Sequence, residues 1–297
     1  MKWARRFLVH GVFWRQFLRW AVINVPIWIE PMILGWWSAL FLLWGPGRRG
    51  SMHNLRAIKP HSWPVANFFR TYRVFWNFAW TIADNVRHRE EDMIPDWEFV
   101  GIEHFDALQS RDGGAIILTA HMGSYDLGAQ LFAEYSTKKI VMVRAPEIDP
   151  DTRKYEEANL GDEVRVSFNT AASDLALDLL SAVQNGDVVA IQGDRVTRGI
   201  ATVGTTLFGK STRIPAGPFA LAMAARAPIY PLFVIRLGRR KYRLLTCEPI
   251  EVTRTSRDRD ADIRRGVEQW SRTLESTIRD SWYQWFAFEP YDAENIA

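Results

Sequence analysis

The chain is nearly devoid of cysteine. Cys247 is the single cysteine in 297 residues, so an internal disulfide is impossible. The composition therefore favours a reducing compartment over an oxidising one. Apolar residues make up 47% of the chain and charged residues 24%, proportions that exclude a disordered or collagen-like protein. The length allows one large α/β domain or two ordinary ones.

A strong excess of charge of one sign is also missing. The 37 Lys and Arg against 34 Asp and Glu leave a formal net charge of +3, too small to indicate a nucleic-acid-binding protein. The sequence contains no P-loop, no Gly-x-Gly-x-x-Gly fingerprint and no zinc-type spacing of His and Cys. It also lacks the Gly-x-Ser-x-Gly turn of serine hydrolases. We therefore expect no metal and no cofactor, and a covalent enzyme intermediate is unsupported.

Tryptophan, by contrast, is abundant and unevenly placed. Half of the 14 tryptophans fall within residues 1–44. Residues 1–20 carry five cations and no acid, with Trp and Phe between them. This pairing suits the headgroup region of an anionic bilayer, where tryptophan is half-wet and cations meet phosphate. A signal peptide fits less well, because no clean apolar run and cleavage site follow.

Glu30 is the only charged residue within 21–44, a mostly apolar stretch that is long enough to cross about 30 Å of hydrocarbon. Pro26 and Pro31 would interrupt a helix there, and cations flank the stretch on both sides. The pattern favours an interfacial or re-entrant helix pair over a span; a core helix hairpin of a soluble protein is the alternative. We predict a membrane-associating helical segment over 1–50 and an α/β domain over 51–297.

The rest of the chain alternates between helical and extended patterns. A helix is predicted over 63–88, and apolar runs predict strands at 97–101, 114–120, 138–144, 187–192, 229–236 and 241–252. Helices are predicted between and after them at 102–110, 124–136, 173–184, 218–227 and 260–282. This alternation predicts an α/β fold with a mixed, largely parallel sheet covered by helices on both sides. Ligands of such sheets bind beyond the carboxyl ends of the strands.

One strand end combines a histidine with a carboxylate. His121 directly follows the strand at 114–120, and Asp126 comes five residues later in the first turn of the next helix. We expect the Asp126 carboxylate to hold one ring N–H, which leaves the other ring nitrogen able to take a proton. Gly123 permits a tight turn, Ser124 can cap the helix, and the exposed amides favour an anion. A histidine satisfied by local capping is the simpler alternative.

Two further strand ends carry charge. Arg144 ends the strand at 138–144, and Asp194 and Arg195 follow the strand at 187–192. Each could be a surface ion pair or a turn residue, but together with His121 they predict one shared rim. Residues 205–218, rich in Gly, Pro and hydroxyls, form either a pocket wall or an ordinary loop.

These blocks, in this order, resemble the lysophospholipid acyltransferase superfamily, and most closely its bacterial lipid A (late) acyltransferase branch. HMGSYD matches the family's His-x4-Asp/Glu motif, although the branch commonly has Asn, Trp and Glu where this chain has Ser124, Tyr125 and Asp126. VMVRAP, IQGDRVTRG, the Phe-Gly segment LFGKSTRIPAGP and residues 274–288 are similar to later family landmarks. The resemblance implies that His121 is a general base and Asp126 its orienting partner. It also implies substrate contacts from Arg144, Asp194, Arg195, Phe208, Gly209 and Arg213.

The resemblance also implies a reaction. The expected enzyme moves a fatty acyl group from acyl-ACP or acyl-CoA to a hydroxyl of a membrane lipid or glycolipid, with a lipid A-type precursor favoured as acceptor. The acyl thioester is a substrate, so no cofactor is implied. The expected place is the bacterial inner membrane, with the site facing the cytoplasm. Two alternatives stay open on the same fold: an inactive lipid-binding protein, and a thioesterase or lipid hydrolase.

Overall fold

The computed structural model describes residues 12–45, 47–90, 95–136, 138–144, 164–168, 172–197, 199–255 and 257–292. Most of the basic, aromatic stretch over 1–20 therefore lies outside the described residues, and its predicted membrane contact stays a prediction.

The described residues begin with four helices: α1 (Val12–Asn24), α2 (Glu30–Trp44), α3 (Arg48–Ile58) and α4 (Pro64–Glu90). The interruption predicted within 21–44 is confirmed. Pro26 lies in the connection between α1 and α2, and Pro31 occupies the first turn of α2, where a missing N–H costs no hydrogen bond. Within the described ranges, none of the helices combines the length and the apolarity that a bilayer crossing requires.

Seven strands form the main sheet, and two more form a separate hairpin. The seven are β1 (Asp96–Val100), β2 (Ala115–Thr119), β3 (Ile140–Arg144), β4 (Val164–Phe168), β5 (Val188–Gln192), β8 (Ile229–Gly238) and β9 (Lys241–Thr246). The hairpin consists of β6 (Thr202–Leu207) and β7 (Lys210–Pro215). The remaining helices are α5 (Ile102–Ser110), α6 (Tyr125–Tyr135), α7 (Ala172–Gln184), α8 (Gly217–Ala225), α9 (Arg259–Asp280) and a 3₁₀ turn at Trp282–Gln284.

The sheet has the order β1-β9-β8-β2-β5-β3-β4. Strands β8, β2, β5, β3 and β4 are parallel, while β9 runs antiparallel to β8 and parallel to β1. The prediction of a mixed, largely parallel α/β sheet is therefore confirmed. In the sheet, β5 lies between β2 and β3, although the chain forms β3 directly after β2 and adds β5 only later. The carboxyl ends of β2 and β5 are therefore neighbours at a change of direction in the strand order. Open α/β sheets bind ligands at such positions.

Alternate side chains of β2 enter two different apolar clusters. Ile116 and Leu118 join a cluster that includes Trp270 of α9. Ala115 and Ile117 join another that includes Phe132 of α6. Both faces of the sheet are therefore buried, which explains why the central strands have continuous apolar sequences instead of alternating ones.

The sequence patterns missed β4 and the β6–β7 hairpin. Residues 205–218 were interpreted as a pocket wall or an ordinary loop, but most of them belong to the hairpin and its turn. Phe208 and Gly209 form that turn with φ of +53° and +76°, which suits a two-residue hairpin. The strand after β8 also ends at Thr246 instead of continuing to 252. Few apolar residues mark the hairpin, since Thr, Gly and Lys dominate it, so periodicity gives little signal there.

A buried network of charges joins the amino-terminal helices to the sheet. Asp84 of α4 accepts hydrogen bonds through Oδ2 from Arg236 Nε at 2.6 Å and from the Tyr242 hydroxyl at 2.8 Å. Arg87, one turn on, donates to Glu30 Oε1 of α2 at 2.7 Å and has Nη1 3.8 Å from Asp84 Oδ1. Burial, with the negative charge of Asp84, raises the pKa of Tyr242 well above its usual range. The network ties α2, α4, β8 and β9 together.

Removing Asp84 should be far more damaging than removing an exposed partner. Asp84→Ala takes the anion from the buried Arg236 guanidinium and the acceptor from the Tyr242 hydroxyl, so we expect the free energy of unfolding to fall by about 3–5 kcal/mol. The matched control is Glu98→Ala, which breaks the half-exposed Glu98–Arg243 pair and should cost at most about 1 kcal/mol. Chemical denaturation of both variants measures the difference, and equal losses would contradict this account of the network.

Candidate active site

Adjacent strand ends bring a histidine and an aspartate together. The Gly193 amide, just beyond β5, donates to the carbonyl of Thr119 at the end of β2 at 2.8 Å. This bond keeps the two strands paired up to their last residues. His121 leaves β2 and Asp194 leaves β5 immediately afterwards, so their side chains meet although 73 positions separate them in the chain.

The pair has the geometry of an oriented imidazole. His121 Nδ1 is 2.8 Å from Asp194 Oδ1, and the His121 backbone amide donates to the same oxygen at 3.0 Å. An ionised carboxylate can only accept hydrogen bonds, so in the neutral ring Nδ1 carries the hydrogen and Nε2 carries the lone pair. The His121 side chain is 30% exposed and that of Asp194 only 2%. Among the described residues no hydrogen bond engages Nε2.

Trp285 completes the coordination of the carboxylate. Its indole Nε1–H donates to Asp194 Oδ2 at 2.9 Å, so both oxygens of the buried carboxylate are bonded. Burial alone would raise the pKa of Asp194, but the charge and hydrogen bond of His121, the Trp285 bond and the charge of Arg195 together lower it to about 2. Asp194 is thus ionised throughout the physiological pH range.

The carboxyl-terminal segment around Trp285 also fixes the backbone after β2. The Phe286 amide donates to the His121 carbonyl at 2.8 Å, and the Gly123 amide donates to the Gln284 carbonyl at 3.0 Å. The Gln284 side chain in turn bonds both the amide and the carbonyl of Arg236 on β8. Gly123 has φ of +58°, and a Cβ there would come within 1.7 Å of the Val234 carbonyl oxygen, so only glycine fits.

The predicted pairing of His121 with Asp126 is wrong. Asp126 lies in the first turn of α6, which faces the end of β3, and its Oδ1 is 2.5 Å from Arg144 Nη2. Asn85 of α4 donates to the other oxygen at 3.5 Å. Asp126 and Arg144 therefore form a second ion pair beside the histidine, and the carboxylate that orients the ring comes from β5.

Two local expectations for the turn after His121 are also wrong. Ser124 is the N-cap residue of α6 but makes no side-chain capping bond, and its buried hydroxyl has no partner among the residues that the structure describes. The amides of Gly123 and Ser124 are not available to an anion, because they donate to the carbonyls of Gln284 and Val234 at 3.0 Å each. Because β8 and the carboxyl-terminal segment lie close to this turn, their carbonyls accept the hydrogen bonds of both amides.

The other predicted site residues fall in different places. Arg195 follows Asp194 directly and is half-buried. The Phe208 ring lies 5.8 Å from that of Trp285, so the turn of Phe208 and Gly209 supports the tryptophan that holds Asp194. The Arg213 guanidinium is engaged on the hairpin itself, where Nε donates to Thr202 Oγ1 at 2.6 Å.

The sequence matches one family model over residues 65–291, that of the bacterial lipid A biosynthesis acyltransferases. The chain belongs to this family. The match includes β2, β5 and the carboxyl-terminal segment, and therefore all three residues of the His121–Asp194–Trp285 cluster. No individual curated protein matches the chain. The structure is thus that of a lipid A-type acyltransferase, and its residues can be considered as parts of an acyl-transfer site.

A small apolar cavity lies between α6 and the sheet of this acyltransferase. Its volume is about 30 Å³, and it is lined by Tyr125 and Gly128 of α6, by Thr119 of β2 and by Val234 of β8, among others. Thr119 lies two residues before His121, so the cavity is close in sequence to the histidine, although the imidazole does not line it.

Sequence reasoning assigned no site role to Trp285. The segment around it was noted only for its similarity to a family landmark. Its role depends on a contact across 91 positions, which spacing within a motif does not reveal. The one local signal for a role of Trp285 is its place in the aromatic stretch WYQWFAF. Such a stretch is typical of buried segments, and a buried indole N–H needs a hydrogen-bond acceptor.

Removing the Trp285 hydrogen bond should change how stability depends on pH. Because the folded pKa of Asp194 is depressed, its stabilisation is complete above about pH 4 and is lost as the pH falls towards 2. Trp285→Phe leaves Oδ2 without a donor and raises that pKa. The destabilisation by Trp285→Phe should therefore be largest near pH 6 and shrink towards pH 2, by about 1.4 kcal/mol per pKa unit.

Urea denaturation across this pH range measures the effect. Trp282→Phe is the matched control, because Trp282 lies in the 3₁₀ turn that directly precedes Trp285 but packs against the Arg73 guanidinium instead of Asp194. A destabilisation by Trp285→Phe that stays constant from pH 6 to pH 2 would contradict the role of the indole.

Proposed function

We propose that this protein transfers a fatty acyl group from an acyl thioester to a hydroxyl of a membrane lipid or glycolipid, with a lipid A-type precursor as the favoured acceptor. The observation that carries the proposal is the His121–Asp194 pair. In the neutral ring this pair places the lone pair on Nε2, at a strand end of a family whose members are acyltransferases.

His121 acts as the general base. Nε2 takes the proton of the acceptor hydroxyl while its oxygen attacks the thioester carbonyl, and collapse of the tetrahedral intermediate breaks the C–S bond. The imidazolium then gives its proton to the departing thiolate. Asp194 stabilises the imidazolium and keeps the ring in the tautomer that leaves Nε2 free of hydrogen.

No protein nucleophile is needed for this route. Burial raises the pKa of the Cys247 thiol to about 11, so its nucleophilic thiolate is scarce at neutral pH. The acceptor oxygen attacks the donor directly, and the reaction needs no cofactor.

Two cations near the imidazole fit phosphate groups of donor or acceptor. Arg195 is half-buried beside Asp194, and its planar guanidinium suits phosphate oxygens. Arg144 forms an ion pair with Asp126. We therefore propose that Arg144 contacts phosphate at the edge of the site formed by the strand ends, and that Asp126 positions its guanidinium. Arg213, on the hairpin, is the more distant proposal of the three for a phosphate contact.

The donor thioester comes from acyl-ACP or acyl-CoA in this proposal, and its chain enters along the apolar side of α6. The apolar lining behind Thr119 supports that direction. We place the enzyme at the bacterial inner membrane with its site facing the cytoplasm, where both donors occur. The segment over 1–50 is proposed as the membrane-associating part and 51–297 as the acyltransferase domain.

The experiment is an acyl-transfer assay with the full chain, each donor in turn, and vesicles containing the acceptor lipid. His121→Ala removes the base, so we expect transfer to fall by about 10²–10⁴-fold. Asp194→Asn should lower kcat severely as well, because an amide can donate to Nδ1 and select the wrong tautomer. Asp126→Asn should act mainly on KM, since it loosens Arg144 and not the imidazole.

The matched control is His104→Ala, a half-exposed histidine on α5 that sits beside Glu103 and should leave transfer unchanged. Normal transfer by a folded His121→Ala variant would contradict the proposal. An inactive lipid-binding protein would show no transfer in any variant. A hydrolase would release free fatty acid at the same rate with and without acceptor.

A further inference from the structure

The charges of this chain are divided unequally along it. Residues 1–83 contain eleven Lys and Arg but one acid, Glu30, while the other 214 residues contain 26 Lys and Arg against 33 Asp and Glu. The amino-terminal helices thus carry a strong positive charge that the overall balance hides. A surface of one sign attracts a partner of the other sign and is sensitive to salt.

The single acid of this region does not reach the surface. Glu30 opens α2 with its side chain 8% exposed, and its Oε1 accepts a hydrogen bond from Arg87 Nη2 at 2.7 Å. The buried pair neutralises Glu30 and turns the opposite side of α2 outwards. Among the described side chains of residues 12–83, the exposed cations are therefore not accompanied by an exposed carboxylate.

Helix α2 exposes apolar side chains on that outer side. Its buried positions recur every four residues, at Glu30, Leu34, Ser38 and Leu42. Offset from them on the helix lie Met32 and Trp36, at 70% and 67% exposure, with Leu43 and Trp44 further along, and Trp28, at 73% exposure, lies in the turn just before the helix. We call these five exposed residues the outer stripe. A helix that exposes its large apolar side chains is not explained by the packing of this chain alone.

Neighbouring helices extend the outer stripe into a wider apolar face. Helices α2 and α4 run antiparallel, since Glu30 meets Arg87 at one end while Phe41 stacks near Phe75 towards the other. The first turns of α4 then add exposed apolar groups beside the end of α2, and the last turns of α1 add two more. These are Val65 and Phe69 of α4, Trp63 just before it, and Trp20 and Ile23 of α1. Exposed arginines border the outer stripe in the sequence, with Arg19 on α1 before it and Arg49 and Arg56 on α3 after it.

The length of α2 decides how this face can meet a bilayer. Fifteen residues at about 1.5 Å each extend about 22 Å, short of the roughly 30 Å of hydrocarbon that a span must cross. A helix too short to span, apolar outside and flanked by arginine, fits the boundary between headgroups and acyl chains when it lies parallel to the surface.

We propose that the outer stripe docks α2 flat on an anionic bilayer, with the bordering arginines on lipid phosphates. The inference rests on the proposed function in that the acceptor is a membrane lipid. Beyond the proposed membrane association of residues 1–50, it names the residues that contact the bilayer, the orientation of α2 and the sign of the lipid charge. The Glu30–Arg87–Asp84–Arg236 network then fixes the docked helix to β8. Strand β8 neighbours β2, which leads to His121, so docking holds the site close to the bilayer.

Vesicle binding of the full chain tests this directly. Sedimentation is measured with vesicles of phosphatidylcholine alone and of equimolar phosphatidylcholine and phosphatidylglycerol, at low and high salt. We expect strong binding to the anionic vesicles that weakens with salt. The triple variant Trp28→Ser, Met32→Ser, Trp36→Ser removes exposed side chains only, and should weaken binding by at least about tenfold.

Two control variants separate the outer stripe from general surface effects. Tyr135→Ser with Leu177→Ser removes apolar side chains of similar exposure elsewhere and should leave binding unchanged. Arg49→Glu with Arg56→Glu should weaken binding to the anionic vesicles at low salt. The same measurement in a His121→Ala background should give the parent's affinity, so the outcome does not depend on acyl transfer.

Three results would overturn the proposal. One is that the triple variant binds as tightly as the parent chain. Another is that the parent binds neutral and anionic vesicles equally at every salt concentration. The third is that the parent chain does not bind vesicles but forms a dimer, and that the triple variant does not. The outer stripe would then contact the acidic part of a second copy of the chain instead of a bilayer.

Discussion

The site depends on one hydrogen bond, between His121 Nδ1 and Asp194 Oδ1. It exists because β2 and β5 are neighbours in the sheet and both run their carboxyl ends to the same edge. Trp285 and the His121 amide occupy the remaining hydrogen-bonding capacity of the carboxylate, so a charge that burial disfavours stays ionised. The chemical result is a histidine with a fixed tautomer and an exposed edge, which suits proton removal from a hydroxyl.

The carboxyl-terminal segment has a larger part in this arrangement than its position in the chain suggests. Gln284, Trp285 and Phe286 each bond to a different piece of the site: β8, the carboxylate of Asp194, and the backbone of His121. These bonds cross from the end of the chain to its first central strand. The histidine and the turn after it are therefore held by tertiary contacts from three separate stretches of sequence, namely the end of β5, strand β8 and the carboxyl-terminal segment.

Much of this fold follows from local sequence. Continuous apolar runs such as AIILT and VVAIQ predict buried parallel strands, and the structure has them as β2 and β5. The strand ends predicted the importance of His121 and Asp194 separately. The spacing within HMGSYD predicts that His121 pairs with Asp126, and this prediction is wrong. The order of strands in the sheet decides which carboxylate lies beside a strand end, and that order depends on the whole chain. The role of Trp285 is not predicted for the same reason, because its partner Asp194 is 91 positions away in the chain. The β6–β7 hairpin is not predicted because its strands have little apolar periodicity.

The most direct test of the account is the tautomer of His121. Nitrogen-15 NMR of the imidazole at neutral pH should show Nδ1 in the range of a protonated nitrogen and Nε2 in that of an unprotonated one, and Asp194→Asn should disturb both signals while Asp126→Asn leaves them in place. A ring protonated on Nε2 at neutral pH, or one that responds to Asp126 and not to Asp194, would contradict the central claim.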